Sequence, residues 1–278
     1  EFKACDDCDL AVEVMVTTKG IQVDGAKMSQ TWVATATDAS GNEAEPVTIT
    51  YTWEEGEIEN TYLPGHFSVS ATKQVQFASG NTLCQPSTKK WRFAPNQWTT
   101  VGKYNDNVGN SSYTGWIDLF GWSTQGTYFG VSSSDNSYDY EGNFVDWGKN
   151  FGEGAYTLSA DEWSYLLEDR PNADNLYSIA TVNGVKGTIL LSDDFVCPLG
   201  LDFEAGAYYW FTNEYSGEEW TKMENAGAVF LPAANYRGDY AYIESEEGRY
   251  WTSTQEDYYT TYEVYFSYYE DRIFVGDT

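Results

Sequence analysis

Apolar and polar residues alternate with a period of two through "LAVEVMVTT" (10–18), "TWVATATDA" (31–39) and "EPVTITYTW" (45–53), and Gly, Asp, Ser and Asn separate the runs. A period of two puts every second side chain on one face of an extended strand, and no segment of helical period interrupts the three runs. A stretch patterned this way buries an apolar face only by pairing with further strands. Residues 1–62 are therefore expected to form a small all-β sandwich. The charged run "EEGEIENTYLPG" (54–65), which closes on Pro64-Gly65, marks its boundary.

Residues 63–278 have a different character, with long irregular loops rich in Trp, Tyr and Gly and two helix signatures. In "LSADEWSYLLEDR" (158–170), Ser159 precedes Glu162 by three positions, the spacing at which each side chain satisfies the other's free backbone N–H. Trp163, Leu166 and Leu167 then form one apolar stripe. "YSGEEWTKMENAG" (215–227) repeats this box with Ser216 and Glu219, buries Trp220 and Met223 on one face, and offers Gly227 to end the helix. The expected class is α+β: a small immunoglobulin-like β domain, then a larger domain with two short helices and irregular loops.

The charge narrows the partners. With 43 acidic against 15 basic residues, a formal charge of −28 repels a phosphate backbone, so nucleic acid is not expected as a partner. No apolar run approaches the eighteen or so residues of a membrane span, and the charge disfavours an anionic membrane surface but says nothing against a lipid anchor upstream of residue 1. Cys5, Cys8, Cys84 and Cys197 give an even count that permits disulfide pairing in an oxidising compartment.

Seven motifs follow one another in order: "FSVSATKQVQFASGNTLC" (67–84), "WRFAPNQW" (91–98), "GWIDLFGWSTQG" (115–126), "VDWGKN" (145–150), "VKGTILLSDDF" (185–195), "AGAVFLPAANYRG" (226–238) and "YWTST" (250–254). This order resembles a family of Bacteroides-type surface proteins with a C-type-lectin-like fold, related in fold to the formylglycine-generating enzyme. The resemblance covers about residues 65–275. Some members of that group are targets of diversity-generating retroelements, which rewrite adenine-containing codons in the C-terminal part of the fold. The resemblance thus implies a cell-surface, outer-membrane-facing protein, a lipoprotein or adhesin in kind, whose C-terminal region contacts a ligand. Tyr240, Tyr242, Ile243, Asp257, Tyr258, Tyr259, Thr260, Tyr265, Ser267, Tyr268 and Tyr269 are compatible with rewritten Asn codons; Glu256, Glu263 and Glu270 are not. The family's usual closing strand is missing after "RIFVGDT", so this copy either stops early or completes its sheet in another way.

The stretch "WTSTQEDYYTTYEVYFSYYEDR" (251–272) holds six of the 23 tyrosines. As a strand, "TYEVYFSYY" places Tyr262, Val264 and Phe266 on a core face, and Thr261, Glu263, Tyr265, Ser267 and Tyr269 on the other, which is expected to be displayed. Tyr offers a rigid ring with few rotors and a hydroxyl that donates and accepts, the chemistry of binding loops. Strand propensity is the competing explanation, since 13 of the tyrosines lie outside residues 236–270. The expected ligand-binding set is Tyr240, Tyr242, Asp257, Tyr258, Tyr259, Glu263, Tyr265, Ser267 and Tyr269, with Trp251 supporting the patch from beneath. Asp257 and Glu263 would favour a basic partner.

Catalytic constellations are weak. No GxSxG elbow accompanies the single histidine, His66, and 43 acids make any chosen carboxylate pair uninformative. "DNSYDYEGNFVD" (135–146) approaches a calcium-loop spacing, yet Tyr140 stands where the turn needs Gly. The expectation is a non-enzymatic receptor or adhesin without cofactor or metal, holding a protein or glycan at the cell surface. The alternative is an assembly subunit such as a pilus-tip component, which would offer an unpaired strand edge.

Overall fold

The structure is a computed structural model. It describes residues 12, 14–18, 22–24, 27–38, 40–54, 61–122, 144–238, 242–257, 260–267 and 273–277. The chain divides into two compact units, Glu1–Ile58 and Glu59–Thr278.

In the first unit, β1 (Val14–Thr18), β2 (Gln22–Asp24), β3 (Lys27–Ala36) and β4 (Val47–Glu54) form one antiparallel sheet. The long strand β3 is central: β1 and β2 pair along one edge and β4 along the other, with Val33 opposite Thr17 and Thr48. The expected strands are present. The expected sandwich is not found among the described residues, which make a single layer. Met15, Val16, Val47 and Tyr51 stay exposed, so no second sheet covers them within this set.

The second unit begins with two hairpins, β5 (Phe67–Ser70) with β6 (Lys73–Val75) and β7 (Thr82–Gln85) with β8 (Lys90–Phe93). Helix α1 (Ala160–Ser164) follows, then a four-stranded sheet in the order β11 (Glu214–Tyr215), β9 (Tyr177–Val182), β10 (Val185–Leu191), β12 (Ala228–Pro232). Helix α2 (Gly217–Asn225) joins β11 to β12. A short ribbon, β13 (Tyr236–Arg237) with β14 (Tyr242–Ile243), leads to the last sheet, β15 (Glu247–Gln255), β16 (Thr261–Ser267) and β17 (Phe274–Asp277).

Both helices start as their capping boxes dictate. Ser159 and Glu162 exchange side-chain bonds with each other's backbone N–H, as do Ser216 and Glu219. The segment after α1 widens into a π-turn over Tyr165–Asp169, in which Arg170 N–H reaches back five residues to the Tyr165 carbonyl. Trp163, Leu166 and Leu167 are buried as the apolar stripe requires, as are Trp220 and Met223 of α2.

The sheet β9–β10–β12 is buried on both faces, and its alternation sorts the side chains into two cores. Ile179, Leu190, Val229 and Leu231 meet Phe67, Trp163, Leu166 and Phe266 on one side. Ala180, Ile189, Leu191, Ala228 and Phe230 meet Trp220 and Met223 of α2 on the other. The result is three layers about one central sheet. Cys84 and Cys197 are free thiols, the first buried and the second exposed, so the expected pairing does not join them; Cys5 and Cys8 lie outside the described residues. Burial pushes the Cys84 thiol up to about 12. Among the described residues no helix is long and apolar enough to cross a membrane.

Candidate functional site

The C-terminal sheet is more deeply covered than its sequence suggests. Val264 and Phe266 of β16 are core, as their alternation predicts, and Gly248 on β15 is where the Phe266 ring lies: a Cβ there would collide with it. The opposite face was expected to be displayed. Instead Thr261, Glu263 and Ser267 are buried, Glu263 with 5% exposure.

The reason is a set of partners brought from outside the strand. Thr261 Oγ1 donates to the Thr254 carbonyl at 2.7 Å. Thr252 Oγ1 donates to the Tyr262 carbonyl at 2.8 Å, and Trp122 Nε1 to the Thr252 carbonyl at 2.8 Å. Arg249, opposite Tyr265 in the register, donates from Nε to Glu247 at 2.6 Å and from Nη1 to Glu263 at 3.0 Å. Its guanidinium lies over two rings, 4.8 Å from the centre of Tyr236 and 5.1 Å from that of Tyr265. One cation thus serves two carboxylates. Burial pushes the deeper one, Glu263, up to about 7, Glu247 adds to this, and Arg249 opposes it. Glu263 and Ser267 are consequently interior groups and not a contact surface.

The other expected residues divide. Tyr265 is half-buried and packs edge-on against Phe274 of β17 at 5.2 Å. Tyr242 is half-buried, with its backbone N–H on Asp106 at 2.8 Å. Asp257 is exposed at the β15–β16 turn, where its Oδ1 accepts from Thr260 N and Oγ1, both at 2.9 Å. Tyr240, Tyr258, Tyr259 and Tyr269 lie outside the described residues. Phe274–Asp277 pairs antiparallel with β16, Val275 opposite Val264.

Trp251 leads to a site that the sequence did not announce. Its Nε1 donates to the Phe120 carbonyl at 2.8 Å, and its residue lines a cleft of about 600 Å³. The quoted motifs supply the walls: Phe77 and Asn81 from the first, Phe93 and Gln97 from the second, Asp118 and Phe120 from the third, Trp147 from the fourth. Rings dominate. Phe93 and Phe151 stack at 4.4 Å and 10°, and Trp147 lies 5.6 Å from Phe120. The indole N–H of Trp147 is engaged by the Gly121 carbonyl at 3.0 Å, like that of Trp251 by Phe120, which orients the rings.

Polar groups are few and held in place. Asp118 Oδ2 accepts from Val101 N at 2.9 Å and Oδ1 from Asn105 Nδ2 at 2.7 Å, while Asn105 Oδ1 accepts from the backbone of Asp118 and Leu119. Burial pushes the Asp118 carboxyl up to about 6, against these bonds. Gln97 bridges Glu224 and the Phe230 backbone. At the rim, Tyr62 and Tyr156 are exposed, and Lys73 Nζ reaches Glu162 at 2.6 Å while lying 4.4 Å from the Tyr156 ring centre. Asp146, the one described residue of the acidic-loop spacing that begins at Asp135 to lie beside this wall, has both oxygens engaged. Oδ1 accepts from Gly148 N and Thr157 Oγ1, and Oδ2 from Thr157 N. It caps a 3-10 turn over Trp147–Phe151.

An aromatic cleft with a small number of fixed polar groups is suited to holding a ligand by ring contact and a few hydrogen bonds. The signal that could have found it is the recurrence of Trp and Phe in motifs far apart in sequence. No family model, curated protein or solved structure matches the chain significantly.

Proposed function

We propose that the chain is a non-enzymatic ligand-binding protein of the cell surface, an adhesin or receptor whose larger unit is built on a C-type-lectin-like scaffold. The observation that carries the reading is the cleft of about 600 Å³, lined by aromatic rings together with Asp118, Asn81 and Gln97. Its volume is that of a small-ligand site, and the ring faces favour a sugar or the side chains of a protein epitope. The C-terminal residues Tyr242 of β14, Asp257 of the β15–β16 turn and Tyr265 of β16 form the second part of the proposal: exposed or half-buried positions compatible with retroelement rewriting. Nucleic acid is disfavoured by the charge of −28.

The test is binding to glycan and protein arrays by the full chain and by Tyr62→Ala/Tyr156→Ala, which removes two exposed rim rings. A hit that this variant loses supports the cleft. A hit that it keeps and Tyr242→Ala/Tyr265→Ala loses moves the site to the C-terminal strands β14 and β16. Turnover of a bound compound, abolished by Asp118→Asn, would replace the receptor reading with an enzymatic one. The second reading, an assembly subunit, is favoured by the outer edge of β17, which pairs with no further strand among the described residues. Capture of a partner peptide that protects β17 amides from hydrogen exchange would establish it.

A further inference from the structure

Between Lys186 and Lys222 the chain carries seven carboxylates and no lysine, arginine or histidine. Within that stretch, residues 204–213 form a turn fixed from below. Trp210 is buried in the core with Ile179 and Leu190, and its carbonyl accepts from Thr181 Oγ1 at 3.0 Å. The buried Asn213 amide donates to Ser178 Oγ at 2.9 Å and to the Glu204 carbonyl at 2.8 Å, and its oxygen accepts from Glu204 N at 2.9 Å. On this base Tyr208, Tyr209 and Phe211 point outward, 65%, 47% and 69% exposed. Tyr209 and Phe211 stack at 5.1 Å and 8°, and Tyr208 meets Tyr209 edge-on at 4.9 Å. None of residues 204–213 lines the cleft.

Three contiguous large rings in water form an apolar patch of the kind that marks an interaction site, and a backbone already ordered leaves little entropy to lose on docking. The charge around them selects the occupant. Glu204 and Glu214 are exposed at the two ends of the turn, which the Asn213 side chain ties together through the Glu204 backbone. We propose that this platform docks a partner protein through an arginine-bearing segment, the guanidinium lying on a ring face while Glu204 or Glu214 accepts its N–H groups. Guanidinium suits both halves: it is planar and weakly hydrated, so it stacks on aromatics, and its fork matches a carboxylate. A second copy of this chain would bring another −28 charges to the contact, and a neutral sugar would leave the uncompensated carboxylates without a role.

The test uses the full chain and labelled, N-acetylated (Arg-Gly)4 and (Lys-Gly)4 peptides, with affinities from fluorescence anisotropy at about 150 mM salt, where long-range attraction is screened. The variants are Tyr208→Ser/Tyr209→Ser/Phe211→Ser and, separately, Glu204→Gln/Glu214→Gln, with melting temperatures confirming that each folds. The expected result is tighter binding of the Arg peptide, a loss of about ten-fold in the ring variant, and a smaller loss in the carboxylate variant. The preference for Arg over Lys should vanish with the rings. Equal Arg-peptide affinity for wild type and ring variant would overturn the proposal, reducing it to general charge attraction. So would ring-dependent binding of a neutral oligosaccharide in place of the peptide, or a ring-dependent dimer in sedimentation.

Discussion

Strands β12 and β16 are both covered on both faces, yet they reach that state by opposite chemistry. In β12, "AVFLP", every residue is apolar and buried, so each side simply meets a hydrophobic core. In β16, "TYEVYFS", one side is Val264 and Phe266 while the other buries Thr261, Glu263 and Ser267. An apolar face is stabilised by whatever fills the space against it. A polar face is stable in the interior only when specific partners arrive, and here Arg249 supplies one to Glu263 and the Thr254 carbonyl one to Thr261. Burial on the two strands therefore depends on different things: volume in the first and pairing in the second.

The largest effect that would sharpen this contrast is expected in β12. Phe230→Ala removes a ring packed at 5.7 Å from Trp220 and should cost about 3–5 kcal/mol in denaturant unfolding. A loss near 1 kcal/mol would mean that the three-layer core closes over the gap. Next comes Arg249→Ala, which strands Glu247 and Glu263 together. With 35% of the Arg249 side chain in solvent, the cost is expected at about 2–3 kcal/mol, below that of a fully buried pair. Arg249→Ala should also shift stability toward acid.

A pH series isolates the Glu263 carboxyl. Its folded value is raised from 4.5 to about 7, so the folded protein holds this proton more tightly than the unfolded chain does. Its unfavourable contribution is absent below about pH 4.5, grows as pH rises through 7, and is complete above it. Glu263→Gln should therefore be more stable than wild type at about pH 8, by on the order of 3 kcal/mol, and the gap should close below about pH 5. A gap that does not change with pH would mean the Glu263 carboxylate is well solvated or fully paired. Asp118 acts in the same direction between 3.8 and about 6, and it remains in both proteins, so the comparison cancels it. The smallest expected effect is at a helix start. Ser216→Ala removes the cap of α2 and should cost about 1 kcal/mol by thermal or chemical unfolding.

Local chemistry was readable without a structure. The two capping boxes start helices at Ala160 and Gly217, because both bonds of a box lie within four residues. Three strands of the first unit overlap the three alternating runs, while β2 and the start of β3 fall outside them, and period two says which residues share a face and not whether a second sheet covers it. That is why a sandwich was expected and a single layer is described. The same limit accounts for Glu263 and Ser267. Alternation assigned them correctly to the face opposite Val264, but Arg249 is a cross-strand neighbour fourteen positions away, and sequence alone does not reveal how such a partner closes that face. The cleft was not legible because its rings come from segments that meet only in three dimensions. The outward rings of "YYWF" (208–211) were in view, but nothing local separates them from the buried Trp210 between them.

By itself, then, the sequence determined the period of its strands, the two helix starts, the α+β class and the net charge of −28. Those properties depend on neighbours within a few residues or on the sum of the chain. Tertiary structure alone decided which polar residues are interior, which aromatic rings wall a cleft and which remain in water. Each of these is set by a partner distant in sequence, and the free energy of burial belongs to the pair.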